Sequence, residues 1–234
     1  MKHFKKLSIL FATSTLLFFS AQALAAIFKT SHQQSGFSAD SRHYLYLETT
    51  RDPVSEVPQA FLQIVNLPSN SCVTNGCIRT GVEPTSPTTT AAAKELLDRT
   101  ATLRQRLNLR NLKQGSKLPV LKRTRDDRGV ETYTFRLNDA GQTLDVRMFQ
   151  EHIPSVVYGG DGNIDRAALG LEVNYNYRKR TLSYLNNYRE GIIRYNLREV
   201  RLSPNKQNVV IVMNVIKPAS LGAMQATFVQ SFPL

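Results

Sequence analysis

Two stretches near opposite ends of the chain repeat one pattern, a polar turn that runs into an unbroken apolar stretch. The first is Gly36-Phe37-Ser38-Ala39-Asp40-Ser41-Arg42-His43, leading into Tyr44–Leu47. The second is Arg201-Leu202-Ser203-Pro204-Asn205-Lys206-Gln207-Asn208, leading into Val209–Val212. Superposed, Ser38 meets Ser203 and Asp40 meets Asn205. Ser, Asp, Asn and Pro bend the backbone, and a β-branched or aromatic run after them reads as a strand. A strand wetted on one face alternates, whereas a continuous apolar run needs cover on both faces. These two strands are therefore expected at the centre of a sheet.

The chain opens with Lys2, Lys5 and Lys6, an apolar stretch from Leu7 to Phe19, and the small-residue pattern Ala23-Leu24-Ala25. Basic, then apolar, then A-x-A is the order of a secretory signal peptide, and the apolar part is short of the roughly 20 residues a spanning helix needs. Residues 1–25 are read as a cleaved leader and 26–234 as a single β-rich domain. No later stretch is long and apolar enough to cross a bilayer as a helix. The formal net charge is +12 and stays strongly positive without the leader lysines. An exported protein this basic does not ordinarily meet nucleic acid. The anions open to it are lipid head groups, lipopolysaccharide phosphates and acidic glycans, although net charge also serves solubility alone.

The two cysteines, Cys72 and Cys77, enclose Val73-Thr74-Asn75-Gly76. In an oxidising compartment such a near pair closes a disulfide, and Asn-Gly places it at a hairpin tip.

Strands are expected at His43–Glu48 and Ala60–Asn66, followed by a Thr/Pro/Ser-rich connection at Thr80–Thr90. One amphipathic helix is expected at about residues 90–113, capped by Thr89 or Thr90 and stopped before Gly115. Leu96, Leu103 and Leu107 share its apolar face. Lys117–Arg128 reads as a basic loop. The cleanest alternation follows: Tyr133, Phe135 and Leu137, then Leu144, Val146 and Met148, around Asn138–Gly141, with Arg136 and Asp145 able to pair across the strands. Further strands are expected near Leu171–Tyr177, Thr181–Tyr188, Ile192–Leu197 and Ala226–Phe232. The fold class is α+β, predominantly β, with sandwich or meander sheets and the helix packed on them.

Gly36–Val73 resembles a family of bacterial predicted secreted proteins of unknown function. The matching elements are Gly-Phe-Ser-x-Asp before an aromatic strand, a second strand ending in Ile64-Val65-Asn66-Leu67, and a leucine-rich helix. Val200–Asn205 before Val209–Val212 looks like the family's closing strand. The family's usual Gly after the aspartate is Ser41 here, and Lys217–Met224 replaces a Gly-rich acidic segment. The resemblance implies export and a β-rich fold. The same F-S-x-D pattern opens strands in β-propeller repeats, but a propeller needs four or more copies.

Candidate chemistry is sparse. His32, His43 and His152 lack zinc spacing. Ser203–Lys206 matches S-x-x-K but precedes a strand rather than opening a helix. Asp126-Asp127 reads as a turn. Asp161, Asn163 and Asp165, with Glu172, follow the oxygen spacing of a calcium loop, yet Arg166 stands where the sharp turn needs Gly. No cofactor is expected beyond that weak calcium candidate.

The most suggestive tract interleaves Tyr175, Tyr177, Tyr184, Tyr188 and Tyr195 with Arg178, Lys179, Arg180, Arg189, Arg194, Arg198 and Arg201. Tyrosines can stack on sugar rings while arginines hold phosphates or carboxylates. Half-buried sheet tyrosines among solvated charges would give the same pattern. Tyr175, Tyr177, Arg178, Lys179 and Arg180 are the expected ligand-binding residues. The expected function is non-enzymatic binding of an anionic glycan, a lipid head group or an envelope protein. The alternative is an envelope hydrolase with no recognisable motif.

Overall fold

A serine hydroxyl shapes the turn in both repeats. Ser38 Oγ donates to Asp40 Oδ1 at 2.5 Å and accepts from the His43 amide at 2.9 Å. Ser203 Oγ donates to Asn205 Oδ1 at 2.7 Å and accepts from the Asn208 amide at 2.9 Å. The residue after each acceptor is left-handed, Ser41 at φ 56° and Lys206 at φ 59°. Asn208 Nδ2 then donates to Ser41 O at 2.9 Å, so the two turns touch across the molecule.

The structure is a computed structural model that describes residues 26–80, 87–154, 164–219 and 222–234. The expected leader and the Asp161 and Asn163 positions lie outside the described residues. In chain order the elements are β1 (Ala26–Lys29), β2 (Ser31–Phe37), β3 (His43–Arg51), β4 (Pro58–Asn66), β5 (Ser71–Arg79), α1 (Thr89–Arg99) and α2 (Ala101–Arg106). Then come β6 (Ser116–Lys117), β7 (Val120–Arg125), β8 (Glu131–Arg136), β9 (Thr143–Pro154), β10 (Ile164–Tyr175) and β11 (Arg178–Ser183). The last are β12 (Tyr188–Glu190), β13 (Arg194–Leu202), β14 (Asn208–Ala219) and β15 (Gly222–Pro233).

Among the described residues three sheets form. The first has the order β2-β3-β4-β5 and the second β1-β15-β14-β13-β6. The third runs β11-β10-β9-β8-β7, with β12 also paired to β10. The two signature strands, β3 and β14, lie inside the first and second sheets, as the apolar runs require. The period of two assigns their faces. Leu45 and Leu47 pack with Ala92, Ala93 and Leu96 of α1. Tyr44 and Tyr46 meet Val210, Val212 and Val229 of the second sheet. Val209, Ile211 and Met213 turn the other way, onto Leu144, Val146 and Leu171 of the third. The order of layers is helix, sheet, sheet, sheet, and each signature strand is covered on both sides.

Polar groups stitch the first sheet to the second. Buried Glu48 accepts from Thr30 Oγ1, from the Thr227 amide and from Thr227 Oγ1, at 2.7, 2.8 and 2.7 Å. Gln63 Nε2 donates to Thr227 O at 2.8 Å, and the Ser231 amide donates to Asn70 Oδ1 at 2.7 Å.

The helical region departs from expectation. Thr88, not Thr89 or Thr90, caps α1, its hydroxyl accepting from the Ala91 amide at 3.0 Å. The single helix expected to about residue 113 is two helices broken at Thr100, whose hydroxyl bonds back to Leu96 O at 2.7 Å. Such back-bonding competes with the helical ladder. Asn108, left-handed at φ 55°, ends α2 well before Gly115. There the Leu109 amide reaches Arg104 O at 2.8 Å and the Asn108 amide reaches Gln105 O at 3.1 Å, a Schellman stop closed by buried Leu109.

Further differences are local. The basic stretch expected as a loop contains β6 and β7, and β7 is an edge strand exposed along its whole length. Asp145 sits opposite Thr134, from whose hydroxyl it accepts at 2.7 Å, while Arg136 faces Thr143. The expected strand at Thr181–Tyr188 is split between β11 and β12, and its successor runs as β13 to Leu202. The Cys72–Cys77 disulfide is present. It lies within β5 rather than at a hairpin tip, where Asn75 is left-handed at φ 58° and the register with β4 shifts between Gln63 and Val65. It closes a bulge on an edge strand.

Candidate functional site

The Tyr/Arg tract is divided by the fold. Its first part forms the tip of the β10–β11 hairpin. Tyr175 pairs with Arg178, so the connection is the two residues Asn176 and Tyr177, at φ 47° and 59°. Two consecutive left-handed residues make the hairpin turn that follows strand twist, a geometry usually met by Asn-Gly. Here Tyr177 takes the glycine position with its ring wholly in solvent, at 105% relative exposure.

Behind the tip, Tyr175 is anchored. Its ring lies 5.9 Å from that of Phe232 and its hydroxyl donates to Pro233 O at 3.4 Å. Lys179 pairs with Glu172 at 2.8 Å, and Glu172 also meets Arg147 at 3.4 Å. The Arg178 and Arg180 side chains are exposed and make no hydrogen bond or ion pair among the described residues. The tip therefore presents one free ring and two uncompensated guanidinium groups, with a third cation beside them.

The rest of the tract lies elsewhere. Tyr188 Oη donates to Glu151 Oε2 at 2.8 Å, a bond that raises the phenol's pKa. Arg189 lies over the Phe228 ring at 4.1 Å and donates to Tyr195 Oη at 3.4 Å. Arg198 and Arg201, on β13, enter a separate cleft of about 570 Å³ with His32 of β2, Tyr46 of β3 and Arg110 from the segment after α2. Arg198 donates to Tyr46 Oη at 2.6 Å. Arg201 meets Glu199 at 3.2 Å and Gly115 O at 3.3 Å. Arg110 donates to Gln105 Oε1 at 2.7 Å. Sequence reading did not single out this cleft, because its walls come from three distant stretches and no local pattern connects them.

Among the described residues the other candidates form no further site. Ser203 is buried and its hydroxyl is committed to the turn, while Lys206 is exposed. Asp126 Oδ1 accepts from the Arg128 and Val130 amides at 3.1 and 2.8 Å, closing the expected turn. Of the calcium candidates, Asp161 and Asn163 lie outside the described residues, as does the side chain of Asp165, and Glu172 is held by cations. Among the described residues no group of three or more His, Cys, Asp or Glu could hold a metal ion.

Residues 53–230 match the family of predicted secreted proteins DUF2259. The chain belongs to this family. No curated protein and no solved structure matches it. The family description agrees with the expected export, and no helix among the described residues is long and apolar enough to cross a membrane.

Two histidines give the DUF2259 chain a pH response. Burial, and then the Arg198 guanidinium, holds His32 below the ordinary imidazole value. Partial burial does the same to His43, whose Nδ1 has no partner among the described residues. The unfolded chain takes up protons near pH 6.5 that these folded side chains refuse, so acidification favours unfolding. A second loss lies lower. Burial opposes ionisation of Asp40, yet the Ser38 hydroxyl and Arg42 amide hold its pKa below normal, and the Ser55 and Val54 amides do so for Asp52. Their stabilising effect disappears as pH falls below about 4. Thermal midpoints are expected to decline from pH 7.5 through about 5.5 and again below about 4. A midpoint that rises between pH 7 and 5.5 would contradict the partial desolvation of the two imidazoles.

Proposed function

We propose that this exported protein is a non-enzymatic binder of an anionic component of the cell envelope, which it meets through the β10–β11 tip. The observation that carries this reading is Tyr177. A non-glycine residue in the left-handed region costs on the order of 1 kcal/mol, and such strain is concentrated at functional positions. The Tyr177 ring recovers none of that cost by packing. It stands instead beside Arg178, Lys179 and Arg180, where an aromatic face and guanidinium forks suit a ligand with sugar rings and negative charge.

The test compares the parent with Arg178, Lys179 and Arg180 all replaced by Ser, and separately with Tyr177→Gly. Each cation near an anionic surface is worth roughly 1 kcal/mol, so the triple variant is expected to bind vesicles rich in anionic lipid, or a polyanionic glycan, about 100-fold more weakly. Its melting temperature should move little, because surface changes usually cost within about 0.5 kcal/mol. Tyr177→Gly should keep or raise the melting temperature while lowering capture. Binding that ignores salt, or equal capture by the parent and the triple variant, would remove the tip from the account.

A further inference from the structure

The cleft between β2, β13 and the segment after α2 carries charge that the protein does not neutralise. Arg198 is fixed by the neutral phenol of Tyr46, whose ring lies 5.9 Å from its guanidinium, and Arg110 is held by the neutral amide of Gln105. Neither makes an ion pair among the described residues. The cleft's carboxylate, Glu199, is shared between Arg201 at 3.2 Å and Lys117 at 3.7 Å. Two guanidinium groups thus face the cleft with their charge uncompensated and one of them anchored to the adjoining sheet. A planar guanidinium offers paired donors that match two oxygens of a phosphate, and neutral anchors leave that charge available.

The other walls are polar. His32 rests 5.2 Å from the Tyr46 ring and exchanges a hydrogen bond with Ser35 Oγ at 3.0 Å. Gln34 and Gln114 add amides. A volume of about 570 Å³ exceeds what one phosphate fills, leaving room for a hydroxylated ring beside these groups.

We infer that this cleft is a second binding site, distinct from the hairpin tip, for a phosphomonoester carried on a sugar. Two uncompensated charges match a phosphate dianion better than a carboxylate or a phosphodiester, each of which brings a single charge. The same phosphomonoester can arrive on a free sugar or on a membrane lipid, and the cleft chemistry is common to both.

Titration calorimetry on the mature chain at low salt tests the site with glucose 1-phosphate, a methyl phosphodiester of glucose, and glucuronate. Glucose 1-phosphate should bind at least about tenfold more tightly than the other two, and Arg198→Gln and Arg110→Gln should each weaken it about tenfold. Arg110 is exposed, so its variant guards against a folding defect in the other. Vesicles containing lipid A, whose phosphomonoesters sit on glucosamine rings, form the membrane arm. Vesicle binding lost in both cleft variants, with weak binding of the free sugar phosphate, identifies a lipid-borne source. Retained glucose 1-phosphate binding in the hairpin triple variant shows that the two sites are separate, whatever becomes of the tip. No binding of any phosphomonoester at about 10 mM, or binding unchanged in both cleft variants, overturns the inference.

Discussion

Replacing Glu48 with alanine is expected to destabilise the protein by roughly 3–5 kcal/mol. The side chain is 1% exposed and receives three hydrogen bonds, from Thr30 Oγ1, the Thr227 amide and Thr227 Oγ1. Removing it leaves the Thr227 amide and hydroxyl buried without that acceptor, and buried donors left unpaired are among the costlier losses. The site also joins β3 to β15, so a relaxed cavity would loosen the contact between two sheets. For a chain of this size the melting temperature should fall on the order of 10 °C. Glu48→Gln keeps one oxygen but turns an NH2 towards groups that themselves donate, so an intermediate loss is expected. Thermal unfolding followed by circular dichroism decides it. A midpoint for Glu48→Ala within a degree or two of the parent would show that this carboxylate does not hold the sheets together.

A comparable loss is expected at Gly115, for a steric reason. A Cβ there would lie 2.1 Å from Leu202 O and 2.4 Å from Phe37 Cε2. The ring could swing away, but the carbonyl belongs to β13 in its pairing with β6 and cannot retreat without breaking that register. Gly115→Ala should therefore cost more than about 3 kcal/mol, or prevent soluble expression. Gly141→Ala provides the control. That glycine sits at φ 80° with nothing near its missing Cβ, so it carries only the left-handed penalty, about 1 kcal/mol. The ratio of the two effects is the measurement, and equal melting temperatures would contradict the close approach at Gly115.

How much of this was legible beforehand depended on whether a residue's environment leaves a local trace. Tyr44–Leu47 and Val209–Val212 lie between layers, so burial on both faces wrote itself as an unbroken apolar run. The β8–β9 pair showed in the alternation of Tyr133 and Phe135, because one of its faces meets the core. By contrast, β7 meets water on both faces, and Lys122, Arg123 and Arg125 there have no period to betray a strand. The break at Thr100 rests on one hydroxyl choosing a backbone carbonyl, a choice that helical patterning does not record. Cys72 and Cys77 were near enough to pair, but the left-handed Asn75 belongs to a bulge and not to a reversal of the chain.

The candidate sites divide in the same way. Tyr177 and Arg178–Arg180 are neighbours in sequence and could be noticed there. His32, Arg110 and Arg198 become neighbours only through folding, and their shared cleft is a property of the layers. Neither the tip nor the cleft could have been ranked from the tract alone, since Arg189 and Arg198 read alike until one lies over Phe228 and the other donates to Tyr46.

The stacking of the first two sheets has a consequence for how the chain is made. Glu48 waits for Thr227, Tyr44 and Tyr46 wait for Val210, Val212 and Val229, and among the described residues β1 pairs with β15, the last strand. A chain emerging N-terminus first thus carries its aromatic strand β3 with one side bare until nearly all of its length has appeared. Contacts between such distant partners form slowly, because loop closure must precede any gain. The junction between the first two sheets stays open for as long as the C-terminal residues are held back. That delay makes the final strand the clasp that lets the inner layers shut.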